Sequence, residues 1–344
     1  MGTFERSPGL TALVTGASSG IGKAIAEALG DGAPAGKLGR VARILASGRR
    51  PYSAGIPVSS EDYLALDLSA ADAPASLATW ACSRLGRRPD IVIHAAGAGY
   101  AGPIATQPAE SVHRICAVNL RAPILLTRAL LERELAAASG HADSASRNTA
   151  TQPGADGQAP EAAADQVARS RPLVSVFVSS VVSVVPSPAY AVYAAAKAGL
   201  DAFVRNLVAE QPRDIVAINV HPGATRTAMH ERAAADQSYA PQNTSGYADP
   251  SDVARRILKR VGHRHRRGGT LYLKDGLLRT FARGLPGLVR VLRRDTSALG
   301  NVGSAGSAPT RDEPATSRRR VLITGAARGI GAALALRYLR AGDE

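Results

Sequence analysis

Aromatic residues make up only 4% of this 344-residue chain, so any core must be built from Ala, Val, Leu and Ile. The overall hydrophobic share of 45% still suits a globular protein with a real interior. Two cysteines, Cys82 and Cys116, show neither metal-ligand spacing nor a pairing pattern. That excludes a disulfide framework and points to two reduced thiols. The seven histidines form no H-x-x-x-H pair and no His/Cys cluster, so no metal is expected. No stretch approaches the ~20 apolar residues of a membrane span, and no basic segment followed by an apolar run opens the chain. The default compartment is the cytoplasm. The length allows one large domain with extra material, or two small ones.

Acidic residues are scarce in one place. The net charge is +14, and between Arg255 and Asp295 thirteen Lys/Arg face two acids. Such a surplus could attract nucleic acid or an anionic membrane. No DNA-reading motif or aromatic interleaving accompanies it, so the segment reads as a solvated basic surface without a nucleic-acid partner. Leu277, Phe281, Leu285, Leu288 and Leu292 recur near helical spacing beside five arginines, but Gly284, Pro286 and Gly287 interrupt them. Membrane-surface contact is therefore weighed but not favoured over a core or substrate-lining helix pair.

What the chain does have is a rhythm of short apolar runs and helical periods. Leu10–Val14 reads as a strand, followed by a glycine-rich turn and a helix over Ile21–Leu29. Val41–Ala46, Tyr63–Leu66, Ile91–His94, Leu173–Val178 and Ile215–Val220 read as further strands. Helices are expected over Val112–Leu131 and Tyr190–Glu210. This alternation predicts an α/β fold, a doubly wound parallel sheet of the Rossmann type with helices on both faces. Residues 139–171 are polar, Ala/Ser/Gly/Pro/Gln-rich and without a hydrophobic period. They read as a disordered insertion in a surface loop. The expected organisation is one domain over residues 1–295, ending in the basic segment 255–295, then a flexible linker over 296–317. Over 318–344 the opening of the domain reappears, as Val321-Leu-Ile-Thr-Gly-Ala-Ala-Arg-Gly-Ile-Gly331 and a helical stretch. That repeat reads as an incomplete second Rossmann copy, truncated or vestigial.

Two motifs carry chemistry. In Thr15-Gly-Ala-Ser-Ser-Gly-Ile-Gly22, Gly16 permits a tight turn out of the strand. Gly20 and Gly22 let backbone approach a pyrophosphate at the N-terminus of the following helix, whose free N–H groups favour anions. The turn lies at the carboxyl end of the first strand, where such sheets bind ligands. The second motif is Tyr193-Ala-Ala-Ala-Lys197, thirteen residues after Ser180. Tyr193 and Lys197 are four apart on a helix and share a face. A free tyrosine has a pKa near ~10, and a neighbouring cation favours its phenolate form.

In that order, TGxxxGIG, serine and YxxxK resemble the short-chain dehydrogenase/reductase family, in its single-domain branch. The resemblance covers roughly residues 8–250, and 320–344 in part. It implies hydride transfer between NAD(P)(H) and a small-molecule carbonyl/alcohol substrate, in a homo-oligomer. By resemblance Tyr193 is the general acid in carbonyl reduction, and Lys197 also binds the nicotinamide ribose. Ser180 bonds the substrate oxygen, and Asn119 holds a water in the proton relay. The cofactor would be held by Gly16, Ser18, Ser19, Gly20, Ile21 and Gly22, by Asp67 and Leu68 at the adenine, and by Ala95, Ala96 and Gly97 along its middle. Tyr193 and Lys197 would also contact it, with Pro222, Gly223, Thr225 and Thr227 at the carboxamide end. His94 stands where the family usually has asparagine, which changes the local hydrogen bonding. The second strand ends Ser47-Gly48-Arg49-Arg50 without a carboxylate, and Arg49 suits a 2′-phosphate, so NADP(H) is favoured over NAD(H). The alternative is a non-catalytic NADP(H)-binding regulatory or scaffold module.

Overall fold

The computed structural model describes residues 9–32, 39–133, 171–210, 214–234, 244–264 and 268–272, with 322, 324, 332 and 333 besides. The chain divides into two compact units, Met1–Val302 and Gly303–Glu344. The repeated glycine turn, the 296–317 linker and the amphipathic run at 277–294 lie outside the described residues, apart from isolated positions in the repeat. So does nearly all of the 139–171 insertion.

The first unit is built on a seven-stranded sheet in the order β3-β2-β1-β4-β5-β6-β7. The strands are β1 (Leu10–Thr15), β2 (Val41–Gly48), β3 (Tyr63–Ala65), β4 (Ile91–His94), β5 (Leu173–Val178), β6 (Ile215–His221) and β7 (Gly269–Tyr272). Every pairing is parallel. The central strands are buried on both sides, which is why they read as unbroken apolar runs. Alternate residues serve opposite faces. Val14, Ile93, Val176 and Ile218 pack with Ile25 and Leu29 of α1 (Gly20–Gly30) and with Ile257 and Leu258 of α6 (Pro250–Arg264), the helix after the short α5 (Ala228–Ala233). Leu13, Leu45 and Val92 pack on the other face, with Leu77 of α2 (Ala73–Leu85) and Leu126 and Leu130 of α3 (residues 109–133). Phe177 and Ala217 meet Leu200 and Val204 of α4 (Ala191–Glu210). Each fully buried Leu or Ile of this kind contributes about 1.5–3 kcal/mol, so both faces of the sheet are held firmly.

Three elements depart from the sequence expectations. The helix expected over Val112–Leu131 begins at Ala109 and is not regular. A π-turn over Ala117–Arg121 separates its first part, Ala109–Cys116, from 122–133, the whole being α3. The basic segment is not simply solvated. Its first part lies in α6, which buries Val253, Ala254, Ile257, Leu258 and Val261 while Arg255, Arg256, Lys259 and Arg260 stay exposed. Asp249 caps α6 by accepting from the Ser251 N–H at 2.9 Å. β7 was not foreseen either. Gly268 (φ +61°) precedes it, where a Cβ would lie 2.7 Å from the Ala217 carbonyl oxygen, so the chain can join the sheet edge only through glycine.

Long-range polar staples close the amino ends of the strands. Thr11 donates its backbone N–H and its hydroxyl to Asp90, at 2.7 and 2.9 Å, and Arg87 adds an ion pair at 2.8 Å. Burial alone would raise the Asp90 pKa, but these bonds outweigh it and hold the carboxyl below its usual value.

Candidate active site

The order β2-β1-β4-β5 reverses direction of winding between β1 and β4, and a crevice opens at the carboxyl ends of those strands. The glycine turn lies there. Gly16 has φ +71°, and a Cβ on it would lie 2.7 Å from Ala96 backbone atoms. A Cβ on Gly22 would lie 2.5 Å from the Gly16 carbonyl oxygen. Gly20 has φ +58° and faces the Thr227 methyl, 3.0 Å from where its Cβ would be. Ser19 stands at the N-cap of α1 with extended backbone and makes no side-chain cap bond, so its neighbours' N–H groups are left for a ligand. The turn is thus a cradle made by missing side chains. Its walls are Ala95 and Ala96 on one side and the Pro222–Thr227 loop on the other. In that loop Thr225 is buried and donates to the Gly223 carbonyl at 2.9 Å. This donor set and shape fit a dinucleotide pyrophosphate.

The ends of the crevice differ from expectation in detail. Both Arg49 and Arg50 are exposed at the end of β2. It is Arg50 that reaches the glycine turn, donating to the Ser18 carbonyl at 3.2 Å. Asp67, expected at the adenine, is ion-paired but still partly exposed. Arg114 of α3 binds both its oxygens, at 2.9 and 3.1 Å, and Ser69 donates at 2.8 Å. Burial pushes the Asp67 pKa up, and these bonds push it further down. Leu68 beside it is buried.

The predicted catalytic residues come from three elements. Asn119 sits in the π-turn of α3, close to the Ile115 carbonyl. The Asn119 amide donates to that carbonyl at 3.0 Å and to the Ala98 carbonyl at 2.7 Å. Its Oδ1 is buried without a partner and lies 3.2 Å from the position a Cβ on Gly97 would take. Ser180 follows β5, and its hydroxyl accepts from the Val182 N–H at 3.4 Å. Tyr193 and Lys197 are both buried on one face of α4. The Lys197 ammonium lies 5.8 Å from the Tyr193 ring centre and donates to the Val178 carbonyl at 2.7 Å. Burial pushes the Tyr193 phenol up to about 12, with the Ser180 hydroxyl acting the other way. Burial pushes Lys197 down to about 8, opposed by Asp201. A small cavity is lined by Thr15, His94, Asn119 and Lys197 among others, so the asparagine and the lysine border one space.

His94 is accounted for by its surroundings. Its ring stacks on Phe177, with centroids 4.6 Å apart, and Nε2 lies 2.9 Å from Ser175 Oγ and 3.3 Å from Thr127 Oγ1. Burial pushes its pKa down to about 3, so it is a neutral core residue. The sequence reading missed a polar group behind Ser180 and Lys197, formed by Ser179, Asp201, Asn219 and His221, all at most 3% exposed. One signal was available: Asp201 follows Lys197 by four residues, on the same helix face. Among the described residues, no helix is long and apolar enough to cross a membrane.

The sequence profile for short chain dehydrogenases matches residues 10–155 and 161–238, breaking within the stretch read as an insertion. A short chain dehydrogenase of Pseudocercospora fijiensis (strain CIRAD86) is 30% identical over 266 residues, covering 73% of this chain and 69% of that protein. Solved structures share the fold. A Brucella melitensis 3-oxoacyl-acyl-carrier-protein reductase in complex with NAD aligns with a TM-score of 0.57 at 23% identity, covering 79% of this chain and 98% of that one. A Sphingobium yanoikuyae short-chain dehydrogenase in complex with NADPH aligns with a TM-score of 0.56 at 23% identity, covering 87% and 98%.

Proposed function

The chain belongs to the short chain dehydrogenase family, and on that premise we propose that it is an NADP(H)-dependent oxidoreductase acting on a carbonyl/alcohol substrate. The observation that carries this reading is the buried Tyr193–Lys197 pair on one face of α4, the helix that follows β5 and the Ser180 turn at the carboxyl end of the sheet. The dinucleotide supplies hydride transfer when bound. The chain's own residues do the rest. Tyr193, held protonated by burial, gives its phenolic proton to the carbonyl oxygen in reduction and takes it back in oxidation. Ser180 bonds that oxygen. Lys197, still a cation near neutral pH, offsets the negative charge that develops on Tyr193. Asn119 offers its unpartnered Oδ1 to a water that returns a proton from the Lys197 side of the cavity.

Gly16, Ser18, Ser19, Gly20, Ile21 and Gly22 would hold the pyrophosphate, with Leu68 and Ala95–Gly97 along the middle and Thr225 and Thr227 at the carboxamide end. The missing carboxylate after β2 and the exposed Arg49 and Arg50 support NADP(H) over NAD(H). Half-buried Tyr100, Tyr190, Val182 and Met229 pack around Tyr193 and favour a substrate with apolar bulk beside its carbonyl. The repeat at 321–331 fits the start of a second copy of the same fold, and a cytoplasmic, homo-oligomeric enzyme accords with this chemistry. Fluorescence titration with NADPH and NADH, followed by a carbonyl panel, tests the reading. Tight NADPH binding with turnover of one or more carbonyls is expected. Binding without turnover across the panel would replace the enzyme with the regulatory-module alternative.

A further inference from the structure

Below Ser180 and Lys197, side chains from three elements converge on one buried carboxylate. Asp201, 3% exposed, lies one helical turn beyond Lys197 on α4. Its Oδ1 accepts from the Ser179 hydroxyl at 2.5 Å and from the Asn219 amide of β6 at 2.8 Å. The same Asn219 amide nitrogen lies 3.2 Å from His221 Nε2. An amide has two N–H donors, so one goes to the carboxylate and the other to the ring. Nε2 is then the acceptor, and Nδ1 carries the hydrogen. Nδ1 lies 3.1 Å from the Ser180 carbonyl oxygen, which it bonds. Turning the Asn219 amide round would set its oxygen against Asp201. Its own Oδ1 stays buried and unpartnered in the present orientation, a cost the arrangement accepts to keep both donations. The chain of bonds runs from Asp201 through Asn219 and His221 to the Ser180 peptide.

The carboxylate also answers a charge question. A buried lysine loses the solvation that keeps it protonated, and Lys197 is 4% exposed. Its hydrogen bond to Val178 supplies a dipole but no counter-charge. The titratable groups around it are Tyr193 and Asp201 on its own helix, His221 from β6 and His94 from β4 across the cavity, with Arg205 further along α4 acting on His221. Burial pushes both histidines below their ordinary value, so near neutral pH neither adds charge. Asp201 is the anion of the group.

We propose that Asp201 is a positioning residue for the reaction, holding Lys197 as a cation and, through Asn219 and His221, fixing the Ser180 peptide. This rests on the reading of Tyr193 and Lys197 as the catalytic pair. The test is the pH profile of carbonyl reduction by the full-length protein, using NADPH and a substrate that the parent reduces. In Asp201→Asn the shape is kept and the charge removed, so Lys197 loses its proton at lower pH. The alkaline limb of kcat should move down by about one pH unit or more, a tenfold change in the lysine's proton affinity. Ser179→Ala, which removes a hydrogen bond but no charge, should lower the melting temperature and leave the limb in place. Asp201→Glu keeps the charge and serves where Asp201→Asn fails to fold; its limb should stay within about 0.3 unit of the parent's even where kcat falls. An unmoved limb in Asp201→Asn overturns the proposal, as does an equal shift in Ser179→Ala or Asp201→Glu. Tyr193→Phe measured in parallel separates the two readings. If it keeps turnover, the catalytic assignment falls and this inference with it. If it is inactive while Asp201→Asn keeps the parent's limb, only this inference falls.

Discussion

The two walls of the crevice are made in opposite ways. The glycine-turn wall is shaped by what its residues lack: Gly16, Gly20 and Gly22 leave room that any Cβ would fill, so that only backbone faces the crevice there. The α4 wall works by what is packed into it: Tyr193, Lys197, Asp201, Asn219 and His221 are buried polar side chains that must satisfy one another. The first kind of site tolerates no addition. The second tolerates no subtraction, because removing one partner leaves another buried group unpaired.

Single substitutions can break this contrast, beginning with the strongest. Tyr193→Phe removes only the transferable proton, so kcat should fall ~10²–10⁴-fold while NADPH binding stays within about twofold. Stopped-flow turnover and fluorescence titration on the same preparation check both halves. Gly16→Ala attacks the other wall. A left-handed φ on alanine and the close Ala96 backbone should together cost about 2–3 kcal/mol of stability, read by urea unfolding. Cofactor affinity should drop as well. If Gly16→Ala binds NADPH as the parent does, the turn is not a cradle and the contrast disappears.

Subtler changes sharpen it. Arg49→Ala should weaken NADPH by about 1–3 kcal/mol and NADH far less, since one charge-assisted bond to a 2′-phosphate is lost. Isothermal titration with both cofactors would show it. An equal loss for the two moves the phosphate site, and Arg50, already bonded to Ser18, is the next candidate. The smallest effect concerns His94. Its folded pKa is about 3 against an unfolded value of 6.5. As pH falls below 6.5 the unfolded chain takes up a proton that the folded chain refuses, so stability drops, and it goes on dropping until about pH 3. Between pH 6.5 and 5 this site alone should cost about 1–2 kcal/mol. His94→Asn should remove that slope in denaturant titrations, while His221, also pushed down by burial, keeps its own share.

The same contrast explains what could be read in advance. A glycine turn is local: spacing between a strand and a helix states its geometry, and Gly16 to Gly22 stand where the motif puts them. The alternating strands were legible because buried parallel strands need unbroken apolar runs. Ser180, Tyr193 and Lys197 were legible as a pattern on one strand end and one helix face. Asp201 offered only its place one turn after Lys197, and Asn219 and His221 offered nothing, because their partnership with it depends on β6 lying beside α4, which no spacing along the chain encodes. The Asp67–Arg114 ion pair was hidden for a like reason: the two residues lie 47 apart in the chain. The α6 helix was missed although Val253, Ala254, Ile257, Leu258 and Val261 carry its period. The surplus of arginine drew attention to charge, and the apolar stripe beneath it decides the structure.

The widened turn in α3 has a further consequence. In an ideal helix Ile115, Asn119, Ala122, Leu126 and Leu130 would form a single stripe. Instead Ile115 joins the cluster around Tyr193, while Ala122, Leu126 and Leu130 join the cluster under the sheet. The π-turn acts as a phase shift, letting one rod face two neighbours in succession. Deleting a single residue from Ala117–Arg121 would turn the wide turn back into ordinary helix and swing one half of the rod off its neighbour. The length of that segment is therefore fixed to the residue, however freely its side chains vary.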